Sequence, residues 1–302
     1  MLLKHPLIRL TPFVLLLLPA AGLALWLRHH PGIAPVTASA TPPSPPQTLS
    51  APASPIPSQK PSSRPVPPKT TPAPPPNLSA FAGTVVRQVR LPAGEKLIAL
   101  TFDDGPWPVT TEAVLDILKR YQARATFFWV GKNLERYPQI ARKVVEAGHA
   151  VGDHTWSHQY HKVTPQAAAK EIDSTAALIA RDTETSTRLF RPPGGNLKNG
   201  LAKYALSKGY TVVMWSVSSA DTDPKAPWTA FADNVLRGAR PGTIVLMHDG
   251  GGDRRRTLEA LPVILEGLQQ QGYRFVSVPE LLAQAQPQEL EASRARPAQA
   301  RP

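Results

Sequence analysis

The sequence predicts an α/β domain, a parallel β-sheet covered by helices, over residues 79–283 of a 302-residue chain. Three observations carry that expectation. Short, β-rich apolar runs alternate with amphipathic helical stretches. The runs are apolar almost throughout, as strands buried on both faces must be. Acidic and imidazole side chains then gather just beyond several of these runs, where such folds place their chemistry.

Taken in order, residues 97–102 (LIALTF) read as the first strong strand. Residues 110–121 follow as a helix with Val114, Ile117, Leu118 and Tyr121 on one face. Strands are expected at 125–130 (ATFFWV), 210–217 (YTVVMWSV), 243–247 (TIVLM) and 274–278 (RFVSV), with a short buried one at 149–151. Helical spacing recurs at 138–147, 165–181, 199–208, 228–237 and 256–271. Thr164 is a good N-cap with Pro165 at the first helical position, and Gly148, Gly209 and Gly272 each close a helix before a strand. Periodicity leaves a barrel and an open sheet both standing.

The flanks differ in kind. Lys4 and Arg9 precede residues 10–27, eighteen positions without a charge, and Arg28 follows. Residues 1–30 are therefore expected to form an uncleaved membrane anchor with the N-terminus inside; a cleaved signal is the alternative. Either route places the rest of the chain outside the cytoplasm. Residues 31–78 form a linker: 17 of the 35 prolines fall between positions 31 and 76, a composition for extended, disordered chain. Residues 284–302 read as a disordered tail. The net charge of +12 divides into +5 for residues 79–283 (25 basic, 20 acidic) and +7 for the other 97 residues (9 basic, 2 acidic). With no basic stripe interleaved with aromatics, nucleic acid is not an expected partner, and no obligate protein partner is evident. The absence of cysteine excludes disulfides, thiolate metal sites and a cysteine nucleophile.

Within the domain, Asp103 and Asp104 follow the first strand and precede a Gly-Pro turn; adjacent carboxylates there need a cation, a metal or divided roles, unless they merely form an exposed turn. His154 and His158, four apart, suit a divalent metal with a carboxylate as third ligand. Arg191 opens the rigid turn Pro192-Pro193-Gly194-Gly195, whose bare backbone can donate N–H groups to an oxyanion. Asp221 and His248 each follow a strand. Gly250-Gly251-Gly252 and residues 254–256 read as a mobile, solvated loop.

In order and spacing, TFDDGP, HTWSH, FRPPGG, the Asp after MWSV and VLMHDGGG resemble the polysaccharide deacetylases of carbohydrate esterase family 4, the NodB homology domain. The resemblance implies a deformed (β/α) barrel of about seven parallel strands and a divalent metal, Zn²⁺ first, with Co²⁺ or Mn²⁺ as alternatives. Asp103 resembles the family's catalytic base and Asp104 its metal-binding carboxylate. His154 and His158 match the metal-binding histidines, and Arg191 the arginine that pairs with the base. His248 matches the general acid and Asp221 the carboxylate that orients it, with Asp223 as competitor. Pro193 and Gly194 fall at the oxyanion and substrate side. Two departures stand out. Gly194 occupies a position where the family often has Tyr, and residues 218–222 (SSADT) lack the first Asp and the Trp of the usual pattern; Trp107 or Trp228 are candidates to replace that Trp. The implied function is N-deacetylation of a GlcNAc-type polysaccharide, with peptidoglycan first and chitin or poly-GlcNAc next. An O-acetyl esterase acting on a glycan such as xylan, or a non-catalytic wall-binding protein of the same fold, are the alternatives.

Overall fold

The computed structural model describes residues 78–286; the expected membrane segment, the linker up to residue 77 and the tail beyond 286 lie outside the described residues. Among the described residues no helix is long and apolar enough to cross a membrane. After a 3-10 turn at Leu78–Phe81 come β1 (Val85–Val86), β2 (Leu97–Asp103), α1 (Thr110–Arg120), β3 (Ala125–Trp129), α2 (Gly131–Arg136), α3 (Pro138–Glu146) and β4 (Ala150–Asp153). The chain continues through α4 (Pro165–Thr183), β5 (Leu189–Phe190), a 3-10 turn at Pro193–Gly195, α5 (Leu201–Ser207), β6 (Thr211–Val213) and β7 (Val217–Ser218). It ends with α6 (Trp228–Gly238), β8 (Ile244–His248), α7 (Arg255–Gln270), β9 (Arg274–Phe275) and α8 (Val278–Ala283).

The strands form one parallel sheet in the order β1-β6-β5-β4-β3-β2-β8-β7, with β9 on β2. Because β6 and β7 are separated only by residues 214–216, the path from β6 round to β7 returns to nearly the same stretch of chain. The handover is visible in the backbone: Met214 N–H donates to Val86 O at 2.7 Å and Ser216 N–H to Ile244 O at 3.1 Å. The sheet therefore curls on itself, and the single strand expected at 210–217 is a bent one, broken where it changes partners. Nine strands replace the seven or so expected, because that strand counts twice and β1, β5 and β9 are only two residues long.

Period-two geometry explains why β2 is buried along its whole length. Ile98, Leu100 and Phe102 point outward into the main core with Val114, Ile117 and Leu118 of α1 and Leu261, Ile264 and Leu265 of α7. Leu97 and Ala99 point inward with Phe128, Val213 and Ile244. The same inward file continues to Thr101 and Asp103, so the alternation that builds the core also aims the first carboxylate inside. Helix α4 begins as the sequence predicts, with Thr164 Oγ1 accepting from Ala167 N–H at 3.2 Å. The helix expected from 199 starts at Leu201 instead, because Asn199 Oδ1 takes the Leu201 N–H and Gly200 sits at φ 102°.

Candidate active site

Ladder register places the chemistry at one rim. Asp103 ends β2 opposite His248, the last residue of β8, and opposite Phe128 of β3; Trp129 pairs with Asp153, and Asp153 with Phe190. Residues just past these positions, Asp104, His154 and Arg191, must converge above the strand ends.

Arg191 fills the inside of the curled sheet and is 0% exposed. Its Nη1 donates to Asp103 Oδ1 at 2.6 Å and to Thr101 Oγ1 at 2.8 Å, and its Nε to Val213 O at 2.9 Å. The guanidinium lies 4.1 Å from the Phe128 ring centroid. Every polar edge is thus spent on holding the Asp103 carboxylate at one angle, with its second oxygen turned toward His154 Nε2 at 3.7 Å. Burial lowers the Arg191 pKa from its usual value, against the pull of Asp103, and a guanidinium still keeps its charge.

Asp104, His154 and His158 offer ligand atoms that all lie within 4.8 Å of one another. Asp104 Oδ1 sits 3.1 Å from His158 Nε2 and 3.6 Å from His154 Nε2, yet this buried oxygen accepts no hydrogen bond. The His154 tautomer explains the arrangement. Its Nδ1 is 2.7 Å from Arg191 O, which can only accept, so Nδ1 carries the proton and Nε2 presents a lone pair to the cluster. An orphaned carboxylate oxygen beside the His154 Nε2 lone pair and the His158 Nε2 is the donor set of a divalent cation such as zinc, and the residues fit one. Burial works to raise the Asp104 pKa, but the adjoining His158, first among the neighbouring imidazoles, outweighs it and holds the carboxylate below its usual range. Burial in turn lowers the pKa of His154, against the carboxylates, which favours the neutral, ligating form. The backbone is bent to make this site: Asp104, Thr155 and His158 all have positive φ, at 75°, 70° and 58°. Asp153 Oδ1 takes the Thr155 N–H at 2.7 Å, and Glu171 of α4 ties down Ser157 through its N–H and Oγ.

Opposite lies a second pair. Asp221 receives His248 Nδ1 at 2.8 Å on Oδ1, and the His248 backbone N–H at 2.8 Å and Thr257 Oγ1 at 2.9 Å on Oδ2. Burial would lower the His248 pKa, but the Asp221 hydrogen bond and charge prevail and raise it. Asp221 is the partner, while Asp223 is exposed and caps the Lys225 N–H. In the altered stretch, Ser219 Oγ donates to Leu246 O at 3.0 Å and accepts from Asp221 N–H at 3.3 Å, fixing the turn that delivers Asp221. Trp228 packs against the main core and Trp107 lies edge-on to Tyr137 at 6.4 Å.

Gly194, at φ 61°, follows Pro193 in the 3-10 turn beyond Arg191. A Cβ on it would come within 3.0 Å of the Tyr160 ring. The loop after His248 is exposed at Gly251, Gly252, Asp253 and Arg255 as expected, but Gly250 and Arg254 are buried. A Cβ on Gly250 would strike Asp104 O at 2.3 Å and one on Gly251 would strike Asp104 Oδ2 at 2.5 Å, so both glycines lie down on the site. Arg254 is buried beside Gly250: Nε donates to Gly250 O at 2.7 Å, and Nη2 is 4.0 Å from Asp104 Oδ2. Asp249 is also buried, taking Thr111 Oγ1 at 2.5 Å, and burial pushes its pKa up to about 7. Neither residue carried a signal in the sequence beyond its place after the His248 strand.

The sequence model for polysaccharide deacetylases matches residues 90–213. A peptidoglycan-N-acetylglucosamine deacetylase of Bacillus cereus is 40% identical over 193 residues, covering 64% of this chain and 91% of that one. A family 4 acetyl xylan esterase of Clostridium thermocellum, solved with a cobalt ion, superposes with a TM-score of 0.57 at 36% identity over 62% of this chain and 90% of that one. A family 4 pseudoenzyme of Bacillus anthracis superposes with a TM-score of 0.61 at 27% identity over 67% of this chain and 69% of that one. The curled parallel sheet, the rim constellation and these likenesses agree: the chain belongs to the polysaccharide deacetylase family, carbohydrate esterase family 4, and is a hydrolase acting on carbon–nitrogen bonds other than peptide bonds, like its peptidoglycan deacetylase relatives.

Proposed function

We propose that the protein is a zinc-dependent N-deacetylase of GlcNAc residues in peptidoglycan, working outside the cytoplasmic membrane on a tether formed by residues 1–78. The observation that carries the reading is the completeness of the rim: an arginine-held carboxylate, an Asp–His–His donor set and a carboxylate-held imidazole meet on adjoining strand ends. A non-catalytic protein of this fold has no use for all three. Asp104, His154 and His158 would hold the metal, which supplies polarisation of the acetyl carbonyl and acidification of water. Asp103, its Oδ1 fixed by Arg191, takes the proton of the attacking water on Oδ2. The Gly194 backbone N–H would donate to the developing oxyanion, since Pro193 has no N–H and the Gly195 N–H is taken by Pro192 O. His248, charged and oriented by Asp221, protonates the departing sugar amine from Nε2, leaving acetate and a free amine. Peptidoglycan is favoured by the likeness to the Bacillus cereus enzyme and by the expected extracytoplasmic tether. The likeness to the acetyl xylan esterase gives a second reading, ester hydrolysis by the same groups.

Acetate release from purified peptidoglycan, N-acetylglucosamine oligomers and acetylated xylan, run in parallel, separates the two. Greater release from the amide substrates is expected, and none from any N-acetyl glycan with zinc supplied would overturn the proposal. Treatment with a chelator is expected to abolish release, and added Zn²⁺, Co²⁺ or Mn²⁺ to restore it. His154→Ala should bind zinc too weakly to be rescued at equimolar metal, as read by metal analysis after gel filtration.

The pH profile follows from the His248–Asp221 pair. A raised folded pKa keeps His248 protonated to higher pH, so an acid role is intact below that pKa and lost as pH rises through it. Asp221→Asn removes the largest raising influence and leaves the lowering effect of burial opposed only by the charges of Asp103 and Asp104. The alkaline limb of kcat/KM is therefore expected to move to lower pH. An unmoved limb would detach His248 from the acid role.

A further inference from the structure

Tyr160 is the aromatic member of the exposed large hydrophobic side chains among the described residues, at 60% exposure. A single exposed ring needs no explanation by itself; what sets this one apart is its position. It stands edge to face with His158, ring centroids 4.8 Å apart and planes at 90°. His158 in turn is 4.9 Å from His154, so the ring borders the metal-binding donor set directly. Its Cδ1–Cε1 edge lies against Gly194, 3.3 and 3.0 Å from where a Cβ would be. The carbonyl of Tyr160 accepts from Asn196 Nδ2 at 3.3 Å, which docks the segment on the Pro193–Gly195 turn. The glycine at 194 thus leaves room for a ring supplied from a different loop.

We propose that Tyr160 is a substrate-binding residue that stacks on the pyranose carrying the acetyl group or on its neighbour in the glycan. This rests on the polysaccharide reading above and deepens it. One face of a pyranose presents C–H groups whose positive dipole ends are attracted to the negative face of an aromatic ring. The contact buries apolar area on both partners while the sugar hydroxyls stay in water. A ring fixed by His158 and Gly194 on one side and open on the other offers that surface at little cost in side-chain entropy. Because the contact is made before and during reaction alike, it is expected in KM and not in kcat.

The test uses the full-length, zinc-loaded protein in detergent, with N-acetylglucosamine pentamer and a small aryl acetate as paired substrates. Tyr160→Ala is expected to raise KM for the pentamer about five- to tenfold, the size of an aromatic contact, with kcat, aryl acetate hydrolysis and zinc content unchanged. Tyr160→Phe should keep the wild-type KM. An unchanged pentamer KM in Tyr160→Ala overturns the assignment. So does an equal loss on both substrates accompanied by lost zinc, which would make the ring only a prop for His158. Calorimetric affinity for the pentamer, wild type against Tyr160→Ala, reads the stacking without turnover. If wild type binds the pentamer but releases no acetate, the deacetylase reading fails while the stacking assignment is still decided by that comparison.

Discussion

Asp103→Asn is expected to lower kcat on an N-acetylated glycan by about 10²–10⁴-fold, the usual worth of a positioned base, while zinc binding survives. The two outcomes separate because Asp103 and Asp104 are adjacent in sequence but differently held. Asp103 ends the strand with an inward side chain gripped by Arg191, and Asp104 is thrown the other way by its φ of 75° toward His154 and His158. An amide in place of the Asp103 carboxylate still accepts from Arg191 Nη1, so the geometry is kept and the proton acceptor is lost. Single-turnover acetate release and metal content measured on one preparation provide the check. Retained turnover would remove Asp103 from the base role, and simultaneous loss of zinc would make it a fourth ligand.

That division of labour between neighbouring residues was legible in part. The apolar run at 97–102 announces β2, and period-two alternation from Leu97 gives the inward direction of Asp103. Nothing local announces that Asp104 would adopt a left-handed backbone. The residue so placed is packed against Gly250 and Gly251, which leave no room for a Cβ beside it, from a segment about 145 residues downstream. Arg254 is hidden in the sequence because its burial also depends on distant chain: the run Asp253-Arg254-Arg255-Arg256 looks solvated, and Arg254 alone turns in to Gly250 O and toward Asp104. Strand β5 escaped because two residues carry no period, although its consequence, Arg191, stood out in the Pro-Pro-Gly-Gly motif. Helix α8 does carry a local signal: Ser277 and Glu280 form a capping box, present in the sequence as SVPE. The long strands and helices were visible because burial of one face dictates residue type over many positions. The loops that finish the site depend on contacts far apart in the chain.

Arg191→Ala is expected to cost about 3–5 kcal/mol of stability, the penalty for leaving a buried charge without its partner, and to lower activity at least as far as Asp103→Asn does. The substitution strips Asp103 Oδ1 and Thr101 Oγ1 of their donor and removes donors from Val213 O and Met214 O, all inside the curled sheet. It also empties the volume of a fully buried side chain beside Phe128 and Trp215. For a domain of this size the midpoint of thermal unfolding should fall by roughly 6–20 °C. Arg191→Lys separates charge from geometry: a single ammonium can pair with Asp103 but cannot also reach Thr101 and two carbonyls with a planar fork. Its stability should therefore lie between wild type and the alanine variant. Its activity should lie nearer the latter, because a carboxylate held at one angle is what the chemistry requires. Urea denaturation of the three proteins, with single-turnover rates under native conditions, tests both halves. A lysine variant with wild-type activity would mean that charge alone, and not the clamp at the centre of the sheet, readies Asp103.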